Sequence, residues 1–315
     1  MSMIAPTIET NEEAYLSQVE RVKRKSRLKS FFKGMLFLLP SIILFSVFVF
    51  YPMFQTIYLS FFLTNAQGAT TVFVGWENYK ALFVDPIFLK SVKNTFLFVF
   101  LTVPPTVIIS FALAVIANEK LKGIGFFRTI FSSTMGVSVA AASVFWLYLF
   151  HPTMGLLNKI LEAFGAGGIE WLTDPKWALL AVSMTTIWMN IGFTFLILLG
   201  GMQSIDSSLY ESADIEGSGY FYKLRRITIP MLSPTFFFVI TVSIIHSFQT
   251  FGQIDILTKG GPANETNLIV YSIYREAFVN YQFGSASAQA VVLFILILLM
   301  TALQFKLGER KVHYQ

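Results

Sequence analysis

The chain has 315 residues, of which 55% are hydrophobic and 16% aromatic, and its mean hydropathy is +0.64. Soluble domains contain about 45–50% apolar and about 25% charged residues, whereas only 13% are charged here, so a soluble globular protein is excluded. The absence of cysteine excludes disulfides, thiolate metal sites and cysteine nucleophiles. The formal net charge of +5 matters less than where the basic residues lie, and no nucleic-acid partner is expected.

The N-terminal segment, residues 1–33, is polar and ends in a run of basic residues. A basic segment before an apolar run can be a signal peptide. Here the apolar run from Gly34 to about Phe62 is too long for one and has no small-residue cleavage site. We therefore expect a cytoplasmic segment followed by a retained first span, with Pro40 and Pro52 kinking that span or marking its ends.

Five further apolar windows follow, each close to the ~20 residues that cross about 30 Å of hydrocarbon. The sequence therefore predicts an all-α membrane protein with a six-span domain over 34–308. Most of the 23 Lys and Arg residues then fall on one side, which the positive-inside rule makes cytoplasmic, together with both termini and the tail 309–315. The five windows are Asn94–Asn118, Thr129–Phe150, Trp177–Met202, Met231–Gln253 and Ala286–Phe305.

None of the six windows contains Asp, Glu, Lys or Arg. Secondary carriers usually need ionisable groups at membrane depth, which disfavours proton coupling strongly and sodium coupling less. A membrane enzyme is disfavoured because His151 and His313 lie outside the windows and His246 is isolated. The chain has no phosphate loop of the G-x-x-x-x-G-K-[ST] type, so a pump would need a partner subunit to hydrolyse ATP.

The longest charged interruption lies between the fourth and fifth windows, over residues 203–232. Ser208 and Glu211 have the spacing of a capping box, and Gly217 is placed to end a helix. A helix of about two turns is not stable alone, so we expect it to pack against the protein and to dock a partner. The alternative interpretation is an ordinary cytoplasmic loop.

The fourth and fifth windows each carry neutral polar residues at i, i+4, i+7 spacing, which places them on one face of a helix. Hydrogen-bonding groups beside aromatic surface suit a polyhydroxylated neutral ligand. The alternative is hydrogen bonding between helices, and His246 is expected to bond a neighbouring carbonyl. The residues are Thr186, Asn190 and Phe193, with Trp188 and Met189 adjacent, and Ser243, Ser247 and Thr250.

The 203–232 loop contains Glu211-x-Ala213-x-x-x-Gly217, then nine residues, then Ile227-x-Ile229-Pro230. This pattern resembles the EAA loop of binding-protein-dependent ABC permeases, with Ser212 in place of the middle alanine and Ile229 in place of the usual leucine. In that family the loop is a coupling helix that fits a cleft on the ATPase subunit. The resemblance assigns ATPase coupling to Glu211, Ser212, Ala213, Asp214, Gly217, Ile227 and Pro230.

A second stretch, Leu257-Thr258-x-Gly260-Gly261-Pro262, resembles the T-x-G-G-P outer loop of the maltose-type permeases. The motifs Gly75–Tyr79 and Gly155–Asn158 also resemble the family pattern. Ser133–Gly136 lacks the prolines expected at the start of the third span, so the course of the helix there is not predicted. The resemblance implies a maltose/methionine-permease-like core. It implies that Gly260, Gly261 and Pro262 face the binding protein, against the alternative of a plain turn, and it implies sugar contacts at Thr186, Met189, Asn190, Phe193, Ser243, Ser247 and Thr250.

The resemblance implies a permease subunit of an ATP-driven sugar or oligosaccharide importer in a bacterial or archaeal cytoplasmic membrane. The implied partners are a second permease, two ATPase subunits, an extracytoplasmic sugar-binding protein and the lipid bilayer. No catalytic residue, metal or cofactor is expected in this chain, since ATP and magnesium would bind the ATPase. The alternatives are glycerol-3-phosphate or a related polyol phosphate as cargo, which would want a cation in the path, and a secondary carrier.

Overall fold

The computed structural model describes most of the chain, but not the predicted tail 309–315, Lys120 or most of the basic segment 1–33, so those predictions lie outside the described residues. The chain forms two compact units, Met1–Tyr58 and Leu59–Gln315. The described residues are 23, 31, 33–119 and 121–308, without the side chain of residue 307.

The first unit contains helix α1, Lys33–Leu59, whose last residue falls just past the unit boundary. Its 27 residues span about 40 Å at 1.5 Å per residue, enough to cross a bilayer. Pro40 and Pro52 lie inside the helix rather than at its ends. A π turn at Ser46–Phe50 precedes Pro52, and the wider turn is one way a helix accommodates a residue without an N–H.

Among its described residues, the regular structure of the second unit is helical apart from one antiparallel hairpin, formed by β1 (Phe62–Thr64) and β2 (Thr70–Phe73). Three helices contain or lead into irregular turns: α4 runs into a 3₁₀ turn, α9 contains a π turn, and another π turn follows α12. The helices are α2 (Glu77–Val84), α3 (Pro86–Asn118), α4 (Ile124–Ser132), α5 (Val139–Leu149), α6 (Leu156–Ala163), α7 (Ala178–Gln203), α8 (Ser207–Ile215), α9 (Tyr220–Met231), α10 (Ser233–Phe248), α11 (Gly252–Leu257), α12 (Ile269–Tyr274) and α13 (Phe283–Gly308).

Among the described residues, four helices are long and apolar enough to cross a membrane: α1, α3, α7 and α13. Up to six spans result if each of two bent helix pairs counts as one. The first pair joins α4 and its 3₁₀ turn to α5 at 103°, and the second joins α9 to α10 at 65°. The fold is therefore the predicted all-α membrane architecture, although the third and fifth spans are not straight helices.

The predicted third span, Thr129–Phe150, is broken at a 3₁₀ turn over Ser133–Gly136. Ser138 then starts α5, because its side chain accepts the N–H of Ala141 at 3.2 Å and caps the new helix. The chain thus changes direction without the prolines that the family resemblance implies at this position. The break lies against α7, where the N–H of Gly192 donates to Thr134 Oγ1 at 3.0 Å.

The core of the second unit lies between α3 and α7, which run side by side with Val103, Val107, Phe195 and Leu198 buried between them. Buried hydroxyls on both helices return to their own backbone. Their Oγ atoms donate to the carbonyl four residues earlier, which satisfies them in an apolar surrounding. These residues include Thr102, Thr106, Ser183, Thr185 and Thr186.

The Gly75–Tyr79 motif organises the segment between α1 and α3. The Asn78 amide donates to the carbonyls of Ser60 and Phe62 at 2.8 and 3.1 Å, and the Tyr79 hydroxyl lies 2.7 Å from Ser60 Oγ. All of these groups except part of Phe62 are buried. The motif therefore has a structural role in fixing the hairpin against α2.

The Gly155–Asn158 motif also has a structural role, since it fixes the segment between α5 and α7. The Asn158 amide donates to the carbonyls of Pro152 and Ile169, and its Oδ1 accepts from the Ile169 N–H and the Trp171 indole, at 2.8–3.1 Å. One buried side chain thus makes four hydrogen bonds to a long loop. Because a buried loop must satisfy its backbone polar groups, Asn158 gives this segment a single conformation.

Candidate functional site

The 203–232 loop contains helix α8, as the sequence predicts, but the predicted capping box is wrong. The N-cap is Asp206, whose Oδ1 accepts the N–H of Ser208 at 2.9 Å. Ser208 already lies inside the helix, so its hydroxyl is not at the capping position. The Glu211 side chain is exposed and makes no hydrogen bond to any residue that the structure describes. Glu211 is therefore free to pair with a group on another protein.

The cap makes α8 sensitive to acid. Donation from the N–H and hydroxyl of Ser208 holds the pKa of Asp206 below its ordinary value of 3.8. A group whose pKa is lowered by folding stabilises the fold above its unfolded pKa and loses that contribution as the pH falls through the folded pKa. Above that range, we expect Asp206→Ala to speed hydrogen exchange in α8 several-fold, whereas Asp206→Asn should keep the cap. Mass spectrometry of peptides covering 206–217 measures this, and equal exchange in wild type and Asp206→Ala would contradict the capping role.

The prediction that Gly217 ends the helix is confirmed. Gly217 has φ +73°, its N–H donates to the Asp214 carbonyl at 3.0 Å, and the Ser218 N–H donates to the Ala213 carbonyl at 2.9 Å. These two bonds form a Schellman motif, which requires a left-handed residue that glycine supplies at the lowest cost. The chain therefore turns sharply after two and a half turns of helix.

One face of α8 packs back onto the following segment. Ala213 is buried, and the Tyr210 hydroxyl lies 3.0 Å from Thr228 Oγ1 in α9. Lys223 Nζ also lies 2.7 Å from the Asp214 carboxylate, in an ion pair that is exposed on the Asp214 side. Two further positions of the motif, Ile227 and Pro230, are half-buried in α9. These contacts explain how so short a helix is held in place.

The opposite face of α8 is open. Glu211 and Ser212 are exposed, and so are two large apolar side chains, Ile215 (90% exposed) and Phe221 (81% exposed). Ile215 lies on α8, whereas Phe221 lies in the first turn of α9, within the second bent helix pair. Glu211 and Ile215 are four residues apart and therefore share one face of α8, which leaves a free carboxylate and an apolar side chain together on an open surface.

The predicted polar stripes are only partly available to a ligand. Thr186 is buried and bonds the carbonyl of Val182, while Ser247 is buried and lies 3.1 Å from Thr102 Oγ1 of α3. Both hydroxyls therefore connect or satisfy helices, as the alternative interpretation states. Asn190 and Ser243 are half-buried and have no hydrogen bond to a described residue, so their polar atoms remain free.

Two predictions about the fifth span are wrong. Thr250 does not continue the stripe, because α10 ends at Phe248, and its hydroxyl donates to the His246 carbonyl at 3.2 Å. The His246 side chain is exposed and has no hydrogen-bond partner among the described residues, so it does not bond a neighbouring carbonyl.

The apolar members of the fourth-span set lie near the middle of α7. Trp188 is half-buried, with its ring centroid 6.2 Å from that of Trp146, and Phe193 is also half-buried. The Met189 sulfur lies 3.6 Å from Nε2 of Gln253, a buried residue at the start of α11 that sequence reasoning missed. Gln253 lies at the end of the fifth window, two residues after Phe251, and no sequence pattern points to it.

The Gly-Gly-Pro loop, residues 258–269, is a compact structure and not a plain turn. Gly260 has φ +79°, and Gly261 precedes Pro262 through a cis peptide bond. Thr266, which is fully buried, donates to the Gly261 carbonyl at 2.6 Å and lies 2.7 Å from the Thr258 hydroxyl. These two contacts of the buried Thr266 side chain fix the backbone of Gly260–Pro262.

One basic residue lies closer to the spans than predicted. Helix α4 begins at Ile124, so Arg128 is inside the bent third span although the predicted window began at Thr129. Its guanidinium donates twice to the Ala117 carbonyl, at 2.7 and 3.0 Å, near the C-terminal end of α3. A cation at a helix C-terminus interacts favourably with the helix dipole. The Arg128 charge therefore stabilises the end of α3 within this chain.

These features define a class of protein: a multi-pass helical membrane protein that carries a short helix, fixed in place by its neighbours, between two candidate spans. The sequence profile described as "Binding-protein-dependent transport system inner membrane component" matches residues 81–313, about three-quarters of the chain. The chain belongs to this family and is a permease of a binding-protein-dependent ABC transport system.

Curated relatives match along most of their length. The chain is 38% identical over 278 residues to the sn-glycerol-3-phosphate transport system permease protein UgpA of Agrobacterium fabrum, covering 87% of this chain and 94% of the relative. It is also 38% identical over 280 residues to UgpA of Brucella abortus, covering 88% and 94%. These relatives belong to the same transport class as the sequence predicted.

A solved structure confirms the fold. A chain of a bacterial ABC transporter "involved in the import of the acidic polysaccharide alginate" superposes with a TM-score of 0.77 at 22% identity, covering 92% of this chain and 99% of that one. A second structure of an alginate ABC transporter, in complex with a periplasmic protein bound to alginate pentasaccharide, gives a TM-score of 0.74 at 23% identity. At this identity the likeness extends to the architecture alone.

Proposed function

We propose that this chain forms part of the translocation path of an ATP-driven importer and hydrolyses nothing itself. It works with a second permease, two ATPase subunits that hold ATP and magnesium, and an extracytoplasmic binding protein. The observation that carries the proposal is α8: a nine-residue helix capped by Asp206, ended by Gly217 and open on the face of Glu211 and Ile215. Such a helix is suited to entering a cleft on another subunit.

The 203–232 loop then lies in the cytoplasm, together with residues 1–33 and 309–315. Most of the 23 Lys and Arg residues support this orientation, since basic residues accumulate on the cytoplasmic side. The Gly-Gly-Pro loop lies on the opposite side, where a binding protein delivers solute.

Transport follows from moving one rigid element. ATP closes the ATPase dimer, the cleft that holds Glu211–Gly217 moves, and the contacts of Tyr210 and Asp214 with α9 carry that motion into the spans. The permease turns from inward-facing to outward-facing and receives solute at a weak site that includes Asn190 and Ser243. Hydrolysis reverses the motion, and weak binding allows the solute to leave.

We propose a sugar or oligosaccharide as the cargo. The free polar groups on the candidate path, Asn190 and Ser243, are neutral, and aromatic surface is supplied by Trp188 and Phe193. Neutral donors and acceptors beside apolar rings suit a polyhydroxylated solute. Arg128, which lies inside the bent third span, is engaged by the Ala117 carbonyl. Met189 and the buried Thr186, Ser247 and Thr250 shape the path around these groups.

A second cargo, sn-glycerol-3-phosphate, is favoured by the names of the curated relatives. A phosphate ester would want a basic side chain in the path. In the described part of this chain none is free at the candidate path, so that group would have to come from the second permease.

The test is reconstitution of the complete complex in proteoliposomes together with its binding protein, identified by co-purification from the native membrane. We expect ATP hydrolysis and solute uptake that both depend on the binding protein, with sugars and glycerol-3-phosphate compared as ligands of that protein. Uptake that proceeds without ATP would instead establish a secondary carrier. Binding of glycerol-3-phosphate but of no sugar would replace the first cargo by the second.

A further inference from the structure

The Gly-Gly-Pro loop is fastened to the beginning of helix α3, more than 160 residues away in sequence. Lys90 Nζ donates to Glu265 Oε1 and to the Ala263 carbonyl, each at 2.8 Å. The side chains of both members of this ion pair are only about one-third exposed, 33% and 35%. An ion pair shielded in this way is less screened by water and salt than one on an open surface.

A second set of bonds lies one turn further along α3. The Asn94 amide donates to the Asn264 carbonyl at 2.8 Å, and Thr95 Oγ1 accepts the N–H of Ile269 at 3.0 Å. Asn94 and Thr95 are both buried. Side chains near the start of α3 therefore form hydrogen bonds to both ends of the Ala263–Ile269 segment of the loop.

The hydrogen bonds from Lys90 and Asn94 reach the two residues of the loop segment whose backbone conformation is unfavourable. Ala263 and Asn264 have φ of +48° and +61°, a region that residues with a Cβ adopt at a cost. The carbonyls of these same two residues receive Lys90 and Asn94. These hydrogen bonds from α3 therefore offset the cost of the left-handed conformation, and without them we expect the loop to sample other shapes.

We propose that Lys90 and Asn94 are positioning residues, which hold the Gly-Gly-Pro loop in the shape that meets the binding protein. The inference rests on the proposed function, in which this loop faces that protein. A loop fixed before contact loses less conformational entropy on binding, so its affinity for the partner is higher. Lys90 and Asn94 act through Ala263, Asn264 and Glu265 and need not touch the partner.

The test is a titration of the reconstituted complex with its solute-loaded binding protein, measuring ATP hydrolysis. For Lys90→Met we expect KM for the binding protein to rise about tenfold, with little change in kcat. The matched control is Lys80→Met. Lys80 also pairs with a carboxylate at 2.8 Å, but its partner Glu77 lies in the same helix, and both side chains are about two-thirds exposed. KM of Lys80→Met should stay at the wild-type value.

A charge exchange separates positioning from general damage to the fold. Lys90→Glu and Glu265→Lys should each raise KM, and the double variant should recover part of the loss because the ion pair re-forms with reversed polarity. Recovery should stay incomplete, since a carboxylate at residue 90 cannot donate to the Ala263 carbonyl. Equal KM for Lys90→Met and Lys80→Met, or no recovery in the double variant, would overturn the inference. If the binding protein fails to stimulate even the wild-type complex, the proposed function fails, and this inference fails with it.

Discussion

Replacing Glu211 by lysine is expected to abolish uptake while the chain still inserts into the membrane. The Glu211 side chain bonds nothing within the described part of the chain, so its loss should not disturb α8, whose cap is Asp206. At a docked surface the change removes one charge of a pair and leaves a cation facing a cation. Loss of such a buried pair weakens binding by at least about thirtyfold. Solute uptake by cells, together with co-purification of the ATPase, measures the effect.

Glu216→Lys is the matched control. Glu216 lies in the same loop, carries the same charge and is exposed, but it falls outside the motif. Its reversal should leave both ATPase binding and uptake near the wild-type level. If the two reversals behave alike, net charge and not a specific pairing matters, and the role proposed for Glu211 is wrong.

Gly192→Ala is expected to give the largest loss of stability among single changes near the candidate path. A Cβ at residue 192 would lie 2.6 Å from Thr134 Oγ1 and 3.0 Å from both the Met135 nitrogen and the Ser132 oxygen. Two of these three atoms are backbone, so the 3₁₀ turn must move away from α7. Such overpacking costs about 1–3 kcal/mol of unfolding free energy. Uptake should fall as well, because Asn190 and Phe193 flank the displaced contact.

Gly200→Ala supplies the comparison on the same helix. A Cβ there meets no described atom within 4 Å, and alanine favours the helix by about 0.5–1 kcal/mol over glycine. Thermal unfolding in detergent should therefore place Gly200→Ala at or above wild type and Gly192→Ala below it. Equal melting temperatures for the two variants would show that α7 and the 3₁₀ turn are not in close contact.

The spans could be predicted from the sequence because crossing hydrocarbon requires long apolar helices. Their ends could not. The second window began at Asn94, whereas α3 begins at Pro86, with Asp85 accepting the N–H of Ile87 at its start. The polar residues Lys90 and Lys93 hide this extension from any measure of hydropathy. In the folded chain, Lys90 and Asn94 at this end of α3 form hydrogen bonds to the Gly-Gly-Pro loop. These bonds join residues far apart in sequence, so no local sequence pattern predicts them.

Helix α8 and the candidate solute path differ in how much of each the sequence predicts. Helix α8 is held by neighbours within the same loop, so spacing predicted its length and its end at Gly217. The stripe of the fifth span depends on other helices: Ser247 is taken up by Thr102 of α3, and Thr250 lies beyond the last turn of α10. Which face of a helix a neighbour covers is a tertiary property that periodicity does not contain.

The break in the third span has a consequence for how this protein is made. Irregular backbone inside a bilayer is tolerated only where protein or water covers it, because lipid offers no hydrogen bonds. Met135 and Gly136, at the break, are exposed in the described chain. In the proposed complex the break lies at membrane depth, so a newly inserted copy would expose this turn to acyl chains until the second permease covers it. We therefore expect cells to gain from synthesising the two permeases together, and an unassembled copy to be a target for membrane quality control.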